Sequence, residues 1–145
     1  MNPAVSHPAP RRGPHPALLT VCILVGVLAV LAGPGSCALS CVTAPLAVAD
    51  AMKACNAGAT EDCLDRFENA ELATTFGEGL PTTTERCGTA PAFETREVFV
   101  EIDGILDMKA EVGGHLTAGD CQFPESSVHL RGSPLRWRIV DIAAR

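Results

Sequence analysis

Tyrosine is absent from this sequence and tryptophan occurs once, so any core is mostly aliphatic and no phenol is available as a proton donor. Charge is missing from the N-terminal third, where Arg11 and Arg12 are the only charged side chains before Asp50. Basic residues stay scarce beyond it: from residue 38 onward nine Lys/Arg stand against seventeen Asp/Glu, a net of −8. Such a domain as a whole repels nucleic acid and anionic headgroups, which are bound by neutralising phosphate with Lys and Arg. Nucleic acid is therefore excluded as a partner. There is no C-x-x-C pair, and His115 and His129 are not at ligand spacing from any cysteine pair, so no metal is expected. Gly77, Glu78 and Gly79 lead into Leu80-Pro81 rather than a Lys-Ser/Thr pair, which excludes a phosphate loop. Ser126-Ser127 lacks the Gly-x-Ser-x-Gly elbow of a serine nucleophile. No cofactor is expected.

What the N-terminal third does contain is an apolar run. Residues 1–16 carry five prolines and nothing to bury, which reads as a disordered cytoplasmic tail. Residues 17–32 then run without a charge before Gly33-Pro34-Gly35. Sixteen apolar residues suit a signal-peptide core, whereas a span of about 20 needs the helix to continue toward Leu39. Val30-Leu31-Ala32 and Ser36-Cys37-Ala38 both offer a small-x-small cleavage pattern. Residues 17–39 are thus a signal anchor or a signal peptide, and both alternatives stay open. Arg11 and Arg12 hold the N-terminal side in the cytoplasm, so residues 40–145 form an extracytoplasmic domain. It is single-pass and membrane-bound, or secreted if the signal is cleaved.

Seven cysteines fit that compartment. Cys22 lies in the apolar run, which leaves Cys37, Cys41, Cys55, Cys63, Cys87 and Cys121, an even number that reads as disulfides. Cys55 and Cys63 flank a seven-residue turn between two expected helices, which brings their Cα atoms within the roughly 7 Å that a bridge requires. Cys87 with Cys121 is the second expected pair.

Residues 43–58 read as a helix capped by Thr43, with Pro45 in its first turn and Gly58 as its stop. A second helix starts at the cap Thr60 and carries Leu64, Phe67 and Leu72 on one stripe. Residues 76–91 are rich in Gly, Pro and Thr and read as loop, with a short helix at 82–87. From Phe93 the period changes to two. Val98, Val100 and Ile102 alternate with Glu97, Phe99 and Glu101, and Leu106, Met108, Ala110 and Val112 alternate with charged residues until Gly113-Gly114. Further strands are expected at 121–123, 128–131 and 135–142. The fold class is α+β, with N-terminal helices on a curved antiparallel sheet of four to five strands, preceded by a membrane-targeting helix. Turn chemistry favours a three-residue loop Ile102-Asp103-Gly104, with Gly104 at positive φ and Val98 opposite Met108.

Three stretches resemble the nuclear-transport-factor-two-like (cystatin-like) superfamily. They are AVADAMKACNAGATEDCLDRF with its Asn-x-Gly turn, the hairpin VFVEIDGILDMKAEV, and the ending LRGSPLRWRIVDI. The resemblance implies a sheet wrapped around a helix as a cone, in a membrane-anchored member of unassigned function. Some members are isomerase- or dehydratase-like and place Asp, His or Tyr inside the cone. Asp141 and His129 are the candidate catalytic residues here. Asp141 shares strand parity with Trp137 and Ile139 and so points inward, whereas His129 alternates with Val128 and Leu130 and points away. The function expected is a membrane-tethered, non-enzymatic domain that binds an envelope protein partner or a small apolar ligand. The alternative is a small lyase- or isomerase-like enzyme with an acid/base residue in a cone-shaped pocket. A cone filled by Trp137, Phe99 and Met108 favours the first reading, and an open one with an inward Asp or His favours the second.

Overall fold

The computed structural model describes residues 23–28, 34–104 and 107–145. The tail at 1–16, Cys22, most of the apolar run and Leu106 lie outside the described residues. Residues 23–28 are helical.

Helix α1 spans Pro34–Cys55, nine residues longer at its start than the sequence suggests. Proline opens a helix without loss because its missing N–H has no intrahelical acceptor there. Ser36, Ser40, Ala44, Val48, Met52 and Cys55 recur at three-to-four spacing and are all buried. This stripe lies on the sheet. Its first half is small, so the backbone approaches closely, and the Ser40 hydroxyl donates to Met108 Sδ at 3.3 Å. Thr43 caps nothing; it sits inside the helix, where its hydroxyl accepts from Trp137 Nε1 at 3.0 Å. Pro45 is also interior. The cost of about 3 kcal/mol expected for an interior proline is offset by packing on both sides of it.

Helix α2, Glu61–Asp65, is one short piece whose cap Thr60 accepts from the Cys63 amide at 3.4 Å. It stops early because the next residues are claimed by the sheet. Ile139 N donates to Arg66 O and Glu68 N donates to Ile139 O, both at 2.9 Å, in a parallel bridge at Phe67. Cys55 and Cys63 are bonded, with Cα atoms 4.7 Å apart, and Cys87 and Cys121 are bonded at 5.7 Å.

Helix α3, Ala70–Cys87, replaces the loop expected at 76–91. Asn69 caps it, its side chain accepting from the amides of Glu71 and Leu72. The composition that suggests a loop serves the helix instead. Gly77 allows a close crossing, since a Cβ there would lie 2.8 Å from Ala59 Cα. Thr82, Thr83 and Thr84 turn their hydroxyls back to the carbonyls of Glu78, Gly79 and Leu80. Ala73, Gly77 and Leu80 are the buried stripe.

Strands β1 (Ala92–Ile102), β2 (Met108–Ala118), β3 (Cys121–Ser133) and β4 (Arg136–Ala144) form one antiparallel sheet in the order β1-β2-β3-β4. The expected faces hold and the expected register does not. Val98 pairs with Val112, Val100 with Ala110 and Ile102 with Met108, so Val98 is not opposite Met108. The connection is residues 103–107, closed by Asp103 N to Asp107 O at 3.2 Å, and Gly104 is not among the glycines at positive φ. Two effects outweigh the preferred short turn. Glu101 now faces Lys109, an opposite-charge pair, and Lys109 also reaches Asp103. The ladder also runs on through Gly113 and Gly114, which the sequence reading takes as the end of the strand. Gly114 is needed where β1 crowds in beside the irregularity at Thr95/Glu97: a Cβ there would lie 2.1 Å from Glu94 O.

One strand, β3, replaces the two expected at 121–123 and 128–131, with Pro124 at the irregularity opposite His115/Thr117. Bulges are where a strand tolerates a residue without an N–H. In β4 a further irregularity follows Ile139, since Leu130 pairs with Ile139 while His129 pairs with Asp141. Val140 is the extra residue, and it reverses the parity beyond it. Ile142 therefore packs on the core and Asp141 is exposed, contrary to the inward position expected of it.

The crossing of α3 over the 59 turn gives a paired test. Gly77→Ala should lower stability by roughly 1–3 kcal/mol through overpacking. Gly79→Ala, with open space around it, should raise stability by about 0.5–1 kcal/mol through helix propensity. Denaturant unfolding midpoints of the two variants check both signs.

Candidate functional site

The inner face of the sheet holds no open cone. Met108, Val112, Leu130, Trp137 and Ile139 meet Val48 and Met52 of α1, and all are buried. The residual cavity between Val48, Met52, Phe76, Phe93 and Ile142 measures about 20 Å³. One water molecule needs ~10–15 Å³ of such space, so no organic ligand fits. Phe99 does not contribute to this filling, because it points to the other face.

That other face is uncovered among the described residues. Pairing across the four strands lines up Phe99, Glu111, His129 and Asp141 in one transverse row, and Glu101, Lys109, Arg131 and Arg138 in the next. Phe99, Glu111 and His129 of the first row and Glu101, Lys109 and Arg131 of the second line a shallow groove of about 350 Å³ together with Val140. Phe99 is 58% exposed. A phenylalanine that leaves this much ring in water is the kind of anchor found at the centre of protein interfaces. The sequence signal for it is parity: Phe99 shares a face with Glu97 and Glu101.

Several of the charges around the groove are paired within the chain. Ser127 donates its hydroxyl to Glu111 Oε1 at 2.7 Å, and Arg145 bridges Glu111 and Glu97. The hydrogen bonds from Arg145 and then Ser127 hold the Glu111 carboxyl below the ordinary glutamate range, against a small opposing effect of burial. Asp103 is likewise lowered by its bond to Lys109, whose own ammonium is raised in return. Arg131 Nε lies 3.2 Å from Asp107 Oδ1, and Arg138 lies 3.0 Å from Asp65. Of the three arginines of the last hairpin, only Arg131 pairs with the first hairpin.

The two candidate catalytic residues do meet, as cross-strand neighbours on β3 and β4. They meet on the open face, with Asp141 exposed and His129 part-buried beside Glu111. General acid/base work needs a group aimed at substrate in a site that excludes water, and this face provides no enclosure. His115 lies in β2, 3.4 Å from Glu94. Among the described residues, no group of three or more His, Cys, Asp or Glu side chains is placed to hold a metal ion.

The Glu111 network predicts a pH dependence. A carboxyl whose folded pKa is depressed stabilises the fold above its unfolded pKa, and that contribution is lost as pH falls through the folded value. Glu111→Gln should therefore lower the unfolding temperature at neutral pH. The gap should close as pH drops below the ordinary glutamate value of 4.5. Thermal unfolding of both proteins from neutral to acidic pH measures it.

No family model, no curated protein and no solved structure matches this chain, so its functional reading rests on the geometry above.

Proposed function

We propose that the chain is a membrane-tethered extracytoplasmic domain that binds a protein partner through the outer face of its sheet and performs no catalysis. The observation that carries the reading is Phe99, held open on an uncovered sheet face while the inner face is packed solid. The ion pairs of Lys109, Glu111 and Arg131 around it supply a polar rim. A small apolar ligand finds no room inside, and the lyase- or isomerase-like alternative lacks an enclosed acid or base. An antiparallel meander packed on a long helix supports the resemblance to the nuclear-transport-factor-two-like superfamily, in a member whose cone is filled.

The tether is assigned to residues 17–32, a run about four residues short of the ~20 of an ordinary span, which the bilayer meets by thinning. Within it, Ile23, Leu24, Val25, Val27 and Leu28 are each more than half exposed, a surface that lipid accommodates and water does not. Helix α1 is also long and apolar enough to cross a membrane by composition. Its buried stripe and its disulfide at Cys55 tie it to the domain instead. Two disulfides suit an oxidising compartment. A cleavage after Ala38 would cut through α1, whose Ser36 is already buried, so of the two cleavage patterns only Val30-Leu31-Ala32 leaves α1 whole.

The reading is tested by a reporter active only outside the cytoplasm, fused after Arg145, combined with affinity capture from membranes. The reporter should be active, and a protein captured by the parent chain should be lost with Phe99→Glu and kept with Gly79→Ala. A silent reporter, or capture indifferent to Phe99→Glu, contradicts it.

A further inference from the structure

A second exposed apolar surface lies on the opposite side of the domain from Phe99's groove. On α1, Leu39, Val42 and Leu46 are 39%, 60% and 58% exposed. They stand at three- and four-residue spacing on the face turned away from the buried Ser40–Ala44–Val48 stripe. Leu135, in the turn between β3 and β4, is 89% exposed. Leu46 and Leu135 border the same open cleft of about 310 Å³, together with Trp137, Arg136 and Arg138. Two separate elements thus present leucine to one side of the molecule.

Chain length decides what meets that side. The apolar run ends at Ala32 and α1 opens at Pro34, so the start of α1 stands at the point where the chain leaves the bilayer. At a rise of about 1.5 Å per residue, Leu39 is about 8 Å and Leu46 about 18 Å along α1 from that point. The charge agrees with a phosphate-bearing surface. Of the three arginines that line the cleft, Arg66 pairs with Asp62 and Arg138 with Asp65, which leaves Arg136 without an ion pair among the described residues. An apolar face flanked by arginine is the composition of an element seated in the headgroup region.

From this we infer that the domain lies on its own membrane, with Leu39, Val42, Leu46 and Leu135 in the headgroup region of the exported leaflet. The Phe99 groove then faces away from the lipid toward a partner. This rests on the tether proposed above. It adds a fixed orientation to that tether.

Trp137, the one tryptophan in the chain, lines the cleft and reports on it. The full chain is reconstituted into phosphatidylcholine nanodiscs with or without bromine at carbons 6 and 7 of the acyl chains. Trp137 emission should fall in the brominated discs, and the double variant Leu46→Glu/Leu135→Glu should abolish the fall while keeping both disulfides and the far-UV spectrum. Equal emission in the two kinds of disc, from protein that is incorporated, overturns the inference and leaves the tether standing. Quenching that survives the double variant also overturns it. Unquenched protein whose exposed Cys41 is cross-linked to a second copy, in a manner lost with Leu46→Glu, assigns the surface to self-association instead. Failure to enter the discs at all removes the tether along with the inference.

Discussion

Close contact between the small-residue stripe of α1 and the inner face of the sheet is the constraint from which the rest of this domain follows. Ser40 and Ala44 are fully buried, and Val48 is nearly so, against strands that present Met108, Val112 and Leu130. Burying each larger side chain contributes about 1.5–3 kcal/mol. A buried serine costs free energy unless its hydroxyl is partnered, and Ser40 finds only the weak acceptor Met108 Sδ. Its value there is size: a larger residue would lift the helix from the sheet. With α1 seated, Cys55 lies beside Cys63, α2 is held short, and Phe67 reaches β4 and the ring of Phe76, 5.5 Å away.

This packing divides the sheet into two faces with different work. The inner face is filled and carries stability. The outer face carries Phe99 amid ion pairs whose members come from β1, β2 and β3, the connection 103–107 and the C-terminal Arg145. Because those pairs are exposed they contribute little to stability. Their effect is to leave a rigid polar frame around one aromatic ring.

The strand faces of the first hairpin, the Cys55–Cys63 disulfide and the helix caps at Thr60 and Asn69 are local features, and all except the Asn69 cap are legible in the sequence. Period-two alternation at Val98–Ile102 reports which side is buried whatever the pairing offset, and so it says nothing about the offset itself. The register depended on Glu101 meeting Lys109 across the connection and on Gly114 fitting beside Glu94, a contact between residues distant in the sequence. Helix α3 is hidden for a similar reason. Gly77, Pro81 and the threonines argue for a loop until the contact with Ala59 and the back-bonded hydroxyls are seen. The first nine residues of α1 are masked differently, since small residues read as a signal cleavage site and as a close-packing stripe equally well. At the candidate site, His129 is placed outward by simple alternation. Asp141 is misplaced by it, because nothing in the sequence around Val140 signals the extra residue in β4.

The central claim is that α1 folds as part of the sheet domain and not as part of the membrane segment. Hydrogen exchange on the full chain in bilayers tests it most directly, with Val112→Ala as the perturbation, because Val112 lies in the sheet and far from lipid in the sequence. If the claim holds, the substitution speeds exchange in α1 from Ser40 to Cys55 together with β2 and β3, as one cooperative unit. Faster exchange in the strands alone, with α1 protection unchanged, would contradict it.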